Sequence, residues 1–175
     1  MIKSKVEKAL IGQIKNEEHS SRLYMAMASW CQVKGFPGAS QYLYNQSNEE
    51  RTHMLKFVNY VNERGGHSLL TSLDNPTADY KSLVDIFEKV LKHEEFITGE
   101  INKLYEIALN EKDYTTGSFL QWFITEQIEE EATVHGILDK MRLAGNEAGG
   151  LFLIDKDLSA LASAKAAAAK AGQAT

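Results

Sequence analysis

Four stretches of this chain each carry apolar residues at alternating spacings of four and three, sustained for about 28 residues, and each is broken near its midpoint by acid, amide or imidazole. That spacing is the stripe of a long helix packed against others, and four such stripes make a bundle. The only two prolines, Pro37 and Pro76, stand between the stretches rather than inside them, as helices of this length require. From these breaks and the glycines, helices are expected at about residues 4–34, 37–64, 81–109 and 113–144, with no strand.

Connection lengths fix the topology. The links at Gly35-Phe36 and at Asn110 to Lys112 are short, whereas Gly65 to Tyr80 is long, polar and broken by Pro76. A 28-residue helix spans roughly 42 Å, and sixteen extended residues reach roughly 53 Å, so this connection can run the whole bundle length. The second and third helices are then parallel, as in an all-α four-helix bundle with one long crossover.

The interruptions carry the chemistry. The stripes read Leu10, Ile14, Glu17, Ser21, Tyr24, Ala28, Cys31; Ala39, Leu43, Gln46, Glu50, His53, Phe57, Tyr60; Leu83, Phe87, Val90, Glu94, Ile97, Ile101; and Leu120, Phe123, Gln127, Glu130, Val134, Ile137. With the helices aligned as the connections dictate, Glu17, Glu50, His53, Glu94, Gln127 and Glu130 converge on one layer of the core. Desolvating each carboxylate costs several kcal/mol, so protons or cations must relieve the repulsion. Two divalent ions balance the four glutamates in that layer. An oxygen-rich set with a single imidazole suits iron or manganese better than structural zinc, and iron is the expectation. Glu50 and His53, three apart, share one helix face and grip one ion with Glu17, while Glu50 also reaches a second ion held by Glu94 and Glu130.

This ligand set is similar to that of ferritin-like di-iron bundles, which take one Glu from each of two helices and Glu-x-x-His from the others. Here Glu50-Arg51-Thr52-His53 fits, whereas Gln127-Ile128-Glu129-Glu130 lacks the second histidine. In detail, Asn48-Glu49-Glu50-Arg51-Thr52-His53-Met54, Phe119-Leu120-Gln121-Trp122 and the acidic run Glu126 to Glu131 resemble the bacterial non-haem ferritins over nearly the whole chain. The resemblance implies a ferroxidase that oxidises Fe(II) with O2 or peroxide and deposits Fe(III) mineral inside a hollow homo-oligomeric shell of 24 subunits. It also implies a third iron site at Glu49, Glu126 and Glu129 with Glu130, and a role for Tyr24 as a hydrogen-bond donor to a ligand or as an electron source. Haem is not expected, because Arg51 occupies the position where haem-carrying relatives have methionine and Glu130 the position of their histidine. A second ion held only by carboxylates and a nearby amide should be bound loosely, which favours passing iron onward over keeping it.

The alternative is a rubrerythrin-like di-iron oxidase or peroxidase without mineral storage. Cys31 is the only cysteine and cannot build that family's Cys-x-x-Cys module. A purely structural bundle with protonated core acids would not need interruptions in all four helices at one level. The lone cysteine fits a reducing compartment, so the expected setting is cytoplasmic. No segment reaches membrane-spanning length. A formal charge of −5 without a basic run disfavours nucleic acid.

After Gly149-Gly150 the run Leu151-Phe152-Leu153-Ile154 and the residues to Leu161 suggest a short fifth helix opened by Asp155 or Asp157. Residues 1–164 are read as the ferritin-like di-iron domain and 165–175 as an alanine-rich, disordered tail. His19, His67, His93 and His135 are read as lying off the metal layer, and Trp122 as packing.

Overall fold

The computed structural model describes residues 2–145 and 147–172, and among them the chain is wholly helical. Five helices follow in order: α1 (Ser4–Val33), α2 (Pro37–Glu63), α3 (Leu83–Asn110), α4 (Tyr114–Ala144) and α5 (Ala148–Gly172). The first four fall within about two residues of their expected bounds.

Local chemistry explains the helix ends. Pro37 opens α2 in its first turn, where its missing N–H has no intrahelical acceptor to lose. The Ser82 hydroxyl caps α3 by accepting from Asp85 N at 3.1 Å, and the Asp113 carboxylate caps α4 by accepting from Thr116 N at 3.1 Å. Gly35 and Gly65 follow α1 and α2 with φ of 85° and 76°, a left-handed turn that costs glycine little.

The core consists of two apolar clusters. One joins the C-terminal half of α1, the N-terminal halves of α2 and α3 and the C-terminal half of α4, with Tyr24, Leu43, Phe87 and Leu138 at its centre. The other joins the opposite halves through Leu10, Phe57, Ile101 and Leu120. Both α2 and α3 therefore begin at the same end of the bundle, so the connection between them crosses its full length as expected. Arg64, just past α2, grips both oxygens of Asp113 at 3.2 and 3.1 Å and clamps the far end. Between α1 and α2, Ser21 and Ser47 each donate to the other's carbonyl at 2.7 Å, a pair of small residues that lets these two helices approach closely.

The fifth helix is shorter than the other four, but it opens differently from the reading above. It begins at Ala148, so Gly149 and Gly150 lie inside its first turn. Ile154, Leu158 and Ala162, spaced by one helical turn, are buried in the first apolar cluster, and that stripe carries the helix through the glycines. Asp155 is a cap, but of α2: it accepts from Gly38 N at 3.1 Å and Ala39 N at 2.8 Å. Asp157 instead pairs with Lys140 at 3.0 Å. Phe152 and Leu153 point away from the bundle and are 69% and 61% exposed. Of the segment read as a tail, residues 165–172 continue α5, and 173–175 lie outside the described residues.

Candidate metal centre

Between the two apolar clusters lies a polar layer. Glu17, Gln46, Glu50, His53, Glu94, Gln127 and Glu130 are all at most 5% exposed, so each of the four bundle helices contributes. The heptad register explains this convergence. Each residue occupies a core-facing position, and the helices are aligned by their short connections at both ends.

Glu17, Glu50 and His53 form a fully buried group, with one ligand atom from each lying within 4.8 Å of the others. The Nδ1 of His53 is 3.5 Å from Oε2 of Glu50. Glu17 receives one hydrogen bond, from Gln13 Nε2 at 2.8 Å to Oε1. Its Oε2 is buried without a donor. Burial first, then the facing Glu50, pushes the Glu17 carboxyl well above the ordinary range. Burial, followed by the charge of Glu94, does the same to Glu50. A buried carboxylate oxygen with no donor, set against a second carboxylate and an imidazole, is a donor set that suits a divalent cation.

The other half of the layer is differently dressed. Tyr24 donates its phenolic proton to Oε1 of Glu94, and Gln127 Nε2 donates to Oε2 of Glu94 at 3.1 Å. Even so, burial and the nearby Glu130 push the Glu94 carboxyl up to about 7. Gln46 Nε2 donates to Oε2 of Glu130 at 2.9 Å, and Oε1 of Glu130 accepts from Lys165 Nζ at 2.9 Å. Glu94 and Glu130 thus flank the Glu17–Glu50–His53 group, each oxygen already holding a donor.

A second group combines Glu49, His53 and Glu126, again with ligand atoms mutually within 4.8 Å. It opens on a cleft of about 420 Å³ lined also by Lys56, Trp122 and Lys165. Glu49 and Glu126 of the expected third site are thereby brought together, and His53 joins them. Glu129 is exposed and lines a neighbouring cleft of about 270 Å³ with Glu126, Glu130 and Lys165. Trp122 packs edge-on to His53 at 5.3 Å and under the Lys56 ammonium at 3.0 Å, so it is a wall of the cleft as well as packing.

Comparison with known proteins fits this geometry. Residues 7–144 match the family model of the ferritin-like domain. The chain belongs to the ferritin-like family. A bacterial non-heme ferritin from Campylobacter jejuni is 42% identical to this ferritin over 93% of the chain and 97% of its own length. Another, from Escherichia coli O157:H7, is 40% identical over 92% and 98%. Among solved structures, an open-pore ferritin from the archaeon Archaeoglobus fulgidus superposes with a TM-score of 0.89 at 40% identity, covering 90% of this chain and 96% of that one. The family match ends at Ala144, the last residue of α4, so α5 lies beyond it.

Three residues at or beside the polar layer have contacts that the sequence pattern does not assign. Gln46 was visible as a seam interruption, and only its contact with Glu130 gives it meaning. His93, correctly placed off the central layer, backs it: its Nε2 is 2.7 Å from Ser20 Oγ, and its ring meets the Tyr24 ring edge-on at 5.8 Å. Lys165 carried no signal, because the alanine-rich segment around it has no apolar periodicity to place it.

Proposed function

We propose that this ferritin oxidises Fe(II) at the buried layer and stores the Fe(III) product in a hollow shell of its own copies. One observation carries the reading. Four glutamates and a histidine sit between two apolar clusters, with a carboxylate oxygen of Glu17 that has no donor.

In this reading Glu17, Glu50 and His53 hold one ferrous ion and Glu50, Glu94 and Glu130 the other, Glu50 bridging. The two substrate ions supply two electrons to dioxygen or peroxide. The carboxylates favour the harder ferric product, and the apolar clusters on either side keep bulk water from the pair. Tyr24, its phenol kept protonated by burial and by the charge of Glu94, orients Glu94 and stands close enough to supply an electron. Gln127 fixes the other oxygen of Glu94. Glu49, Glu126 and Glu129 form a third position on the way out, along the acidic clefts between α2 and α4.

Assembly as a 24-subunit shell predicts a native mass of about 470 kDa from chains of 19.6 kDa. Phe152 and Leu153, exposed on α5, offer apolar area for contacts between copies. Arg51 is exposed and offers no ligand to a haem iron, and haem has no part in the reading. Among the described residues no helix is long and apolar enough to cross a membrane. We place the protein in the cytoplasm, where the buried, unpaired Cys31 stays reduced.

The test adds Fe(II) anaerobically, admits oxygen and follows the ferric absorbance. Wild type should oxidise two ions per chain in a fast phase that falls at least about 100-fold in a Glu50→Ala, His53→Ala double variant. Equal initial rates in the two proteins would place oxidation elsewhere.

A further inference from the structure

The four-helix bundle completes the metal layer without help, yet a residue from the fifth helix enters it. α5 runs alongside α2 in the same direction, since Asp155 meets Gly38 and Ala39, the Ala162 carbonyl accepts from Asn45 Nδ2 at 2.9 Å, and Lys165 reaches Gln46 and Glu49. The Lys165 ammonium has three protons to donate. It lies 2.7 Å from Gln46 Oε1, 2.5 Å from Glu49 Oε2 and 2.9 Å from Glu130 Oε1.

These partners matter because they belong to two different groups. Glu130 is part of the central layer, and Glu49 is part of the outer group with His53 and Glu126. We propose that Lys165 is a tethered cation that closes the outer half of the centre, holding Glu49 and Glu130 until a divalent ion displaces it and frees the end of α5. This rests on the reading of the layer as a metal centre.

One general argument and two observations support displacement over a fixed structural contact. An ammonium and a divalent cation compete for the same oxygens and repel one another at this separation. The root of α5 is pinned independently by Asp155 and by buried Ile154, Leu158 and Ala162. Beyond Ala162, the hydrogen bonds and ion pairs between α5 and the bundle, among the described residues, are all made by Lys165. The helix end can therefore leave without unseating its root. Lys165 has no contact with Glu17, and the Glu17–Glu50–His53 position stays open while the outer one is closed. The consequence is an order of filling: the inner position first, the outer positions after Lys165 has moved.

Co(II), which dioxygen does not readily oxidise in carboxylate sites, serves as the probe. The full-length assembled protein is titrated by calorimetry and visible absorption, and hydrogen exchange of residues 163–172 is followed with and without Co(II). Wild type should bind in two phases, with exchange of 163–172 rising about tenfold or more during the second. In Lys165→Gln the second phase should tighten by about tenfold or more, the first should stay within about twofold, and 163–172 should exchange rapidly before any Co(II) is added. Two wild-type phases reproduced unchanged in Lys165→Gln, with exchange indifferent to Co(II), would overturn the gate and leave the metal centre standing. A wild type that binds no Co(II) would overturn both.

Discussion

The two halves of the polar layer solve the same electrostatic problem in opposite ways. On the α1–α2 side, Glu17 and Glu50 face each other with His53, and Glu17 Oε2 has no donor. On the α3–α4 side, Tyr24 and Gln127 serve Glu94, while Gln46 and Lys165 serve Glu130. The first half is built to need a cation from solution. The second is supplied with donors by the protein, and an ion entering it must replace at least one of them. Under the proposed function, the first position is the tighter one and the second the position from which iron moves on, the same asymmetry that the missing second histidine in helix α4 implies.

The largest expected effect is on the metal-free protein. Glu17, Glu50 and Glu94 all have carboxyls raised above their ordinary values, Glu94 from 4.5 to about 7. A group whose folded pKa lies above its unfolded value binds more protons when folded. For Glu94 that contribution is complete below about pH 4.5 and is lost as pH rises through about 7. Glu94 alone accounts for about 3 kcal/mol on this scale. Chelated protein should therefore show a falling urea midpoint from pH 5 to 8, and saturating Co(II) should remove the decline. A midpoint that climbs over this range without metal would mean the carboxylates do not repel as described.

Next in size is Glu17→Ala, which removes the oxygen that has no donor. The first Co(II) phase should weaken by about 100-fold, close to 3 kcal/mol, while the second phase shifts far less. Equal weakening of both phases would merge the halves into one site and erase the comparison. The metal-free variant, relieved of one of the facing buried carboxyls, should lose less stability than wild type between pH 5 and 8.

Much of this contrast was legible in the sequence, and the limit falls at a definite place. Periodicity and connection length suffice to align four helices, and once aligned they bring Glu17, Glu50, His53, Glu94, Gln127 and Glu130 to one level, because a seam position can point only inward. What hydrogen-bonds to each carboxylate is not encoded in that pattern. Gln46 looked like one more interruption, and nothing distinguished it as the partner of Glu130. The start of the fifth helix lies beyond the pattern for a related reason: Asp155 has the chemistry of a cap, but which helix it caps depends on where α5 docks. Lys165 is legible only after that docking is known.

Smaller is the effect of Tyr24→Phe. Loss of the phenolic donor removes a hydrogen bond that favours the ionised form of Glu94, so its carboxyl should rise further and the second Co(II) phase should weaken by about threefold to tenfold. Fe(II) oxidation should slow with it. A variant with normal Co(II) binding and slow oxidation would instead assign Tyr24 to electron supply.

Smallest is the change at Asp155, which separates the two things that carboxylate does. It caps α2 through Gly38 and Ala39, and by doing so fastens α5 to the bundle. The fit is close: a Cβ on Gly38 would lie 1.9 Å from the Asp155 carbonyl oxygen. Loss of a cap costs about 1 kcal/mol, so Asp155→Ala should lower the thermal midpoint by a few degrees, and Asp155→Asn, which still accepts from both amides, should recover most of it. If the cap also sets the position of Lys165, hydrogen exchange of residues 163–172 should quicken in Asp155→Ala and return toward wild type in Asp155→Asn. If exchange is the same in all three, Ile154, Leu158 and Ala162 hold α5 by themselves, and the supply of donors to the second half of the layer depends on apolar packing rather than on the cap.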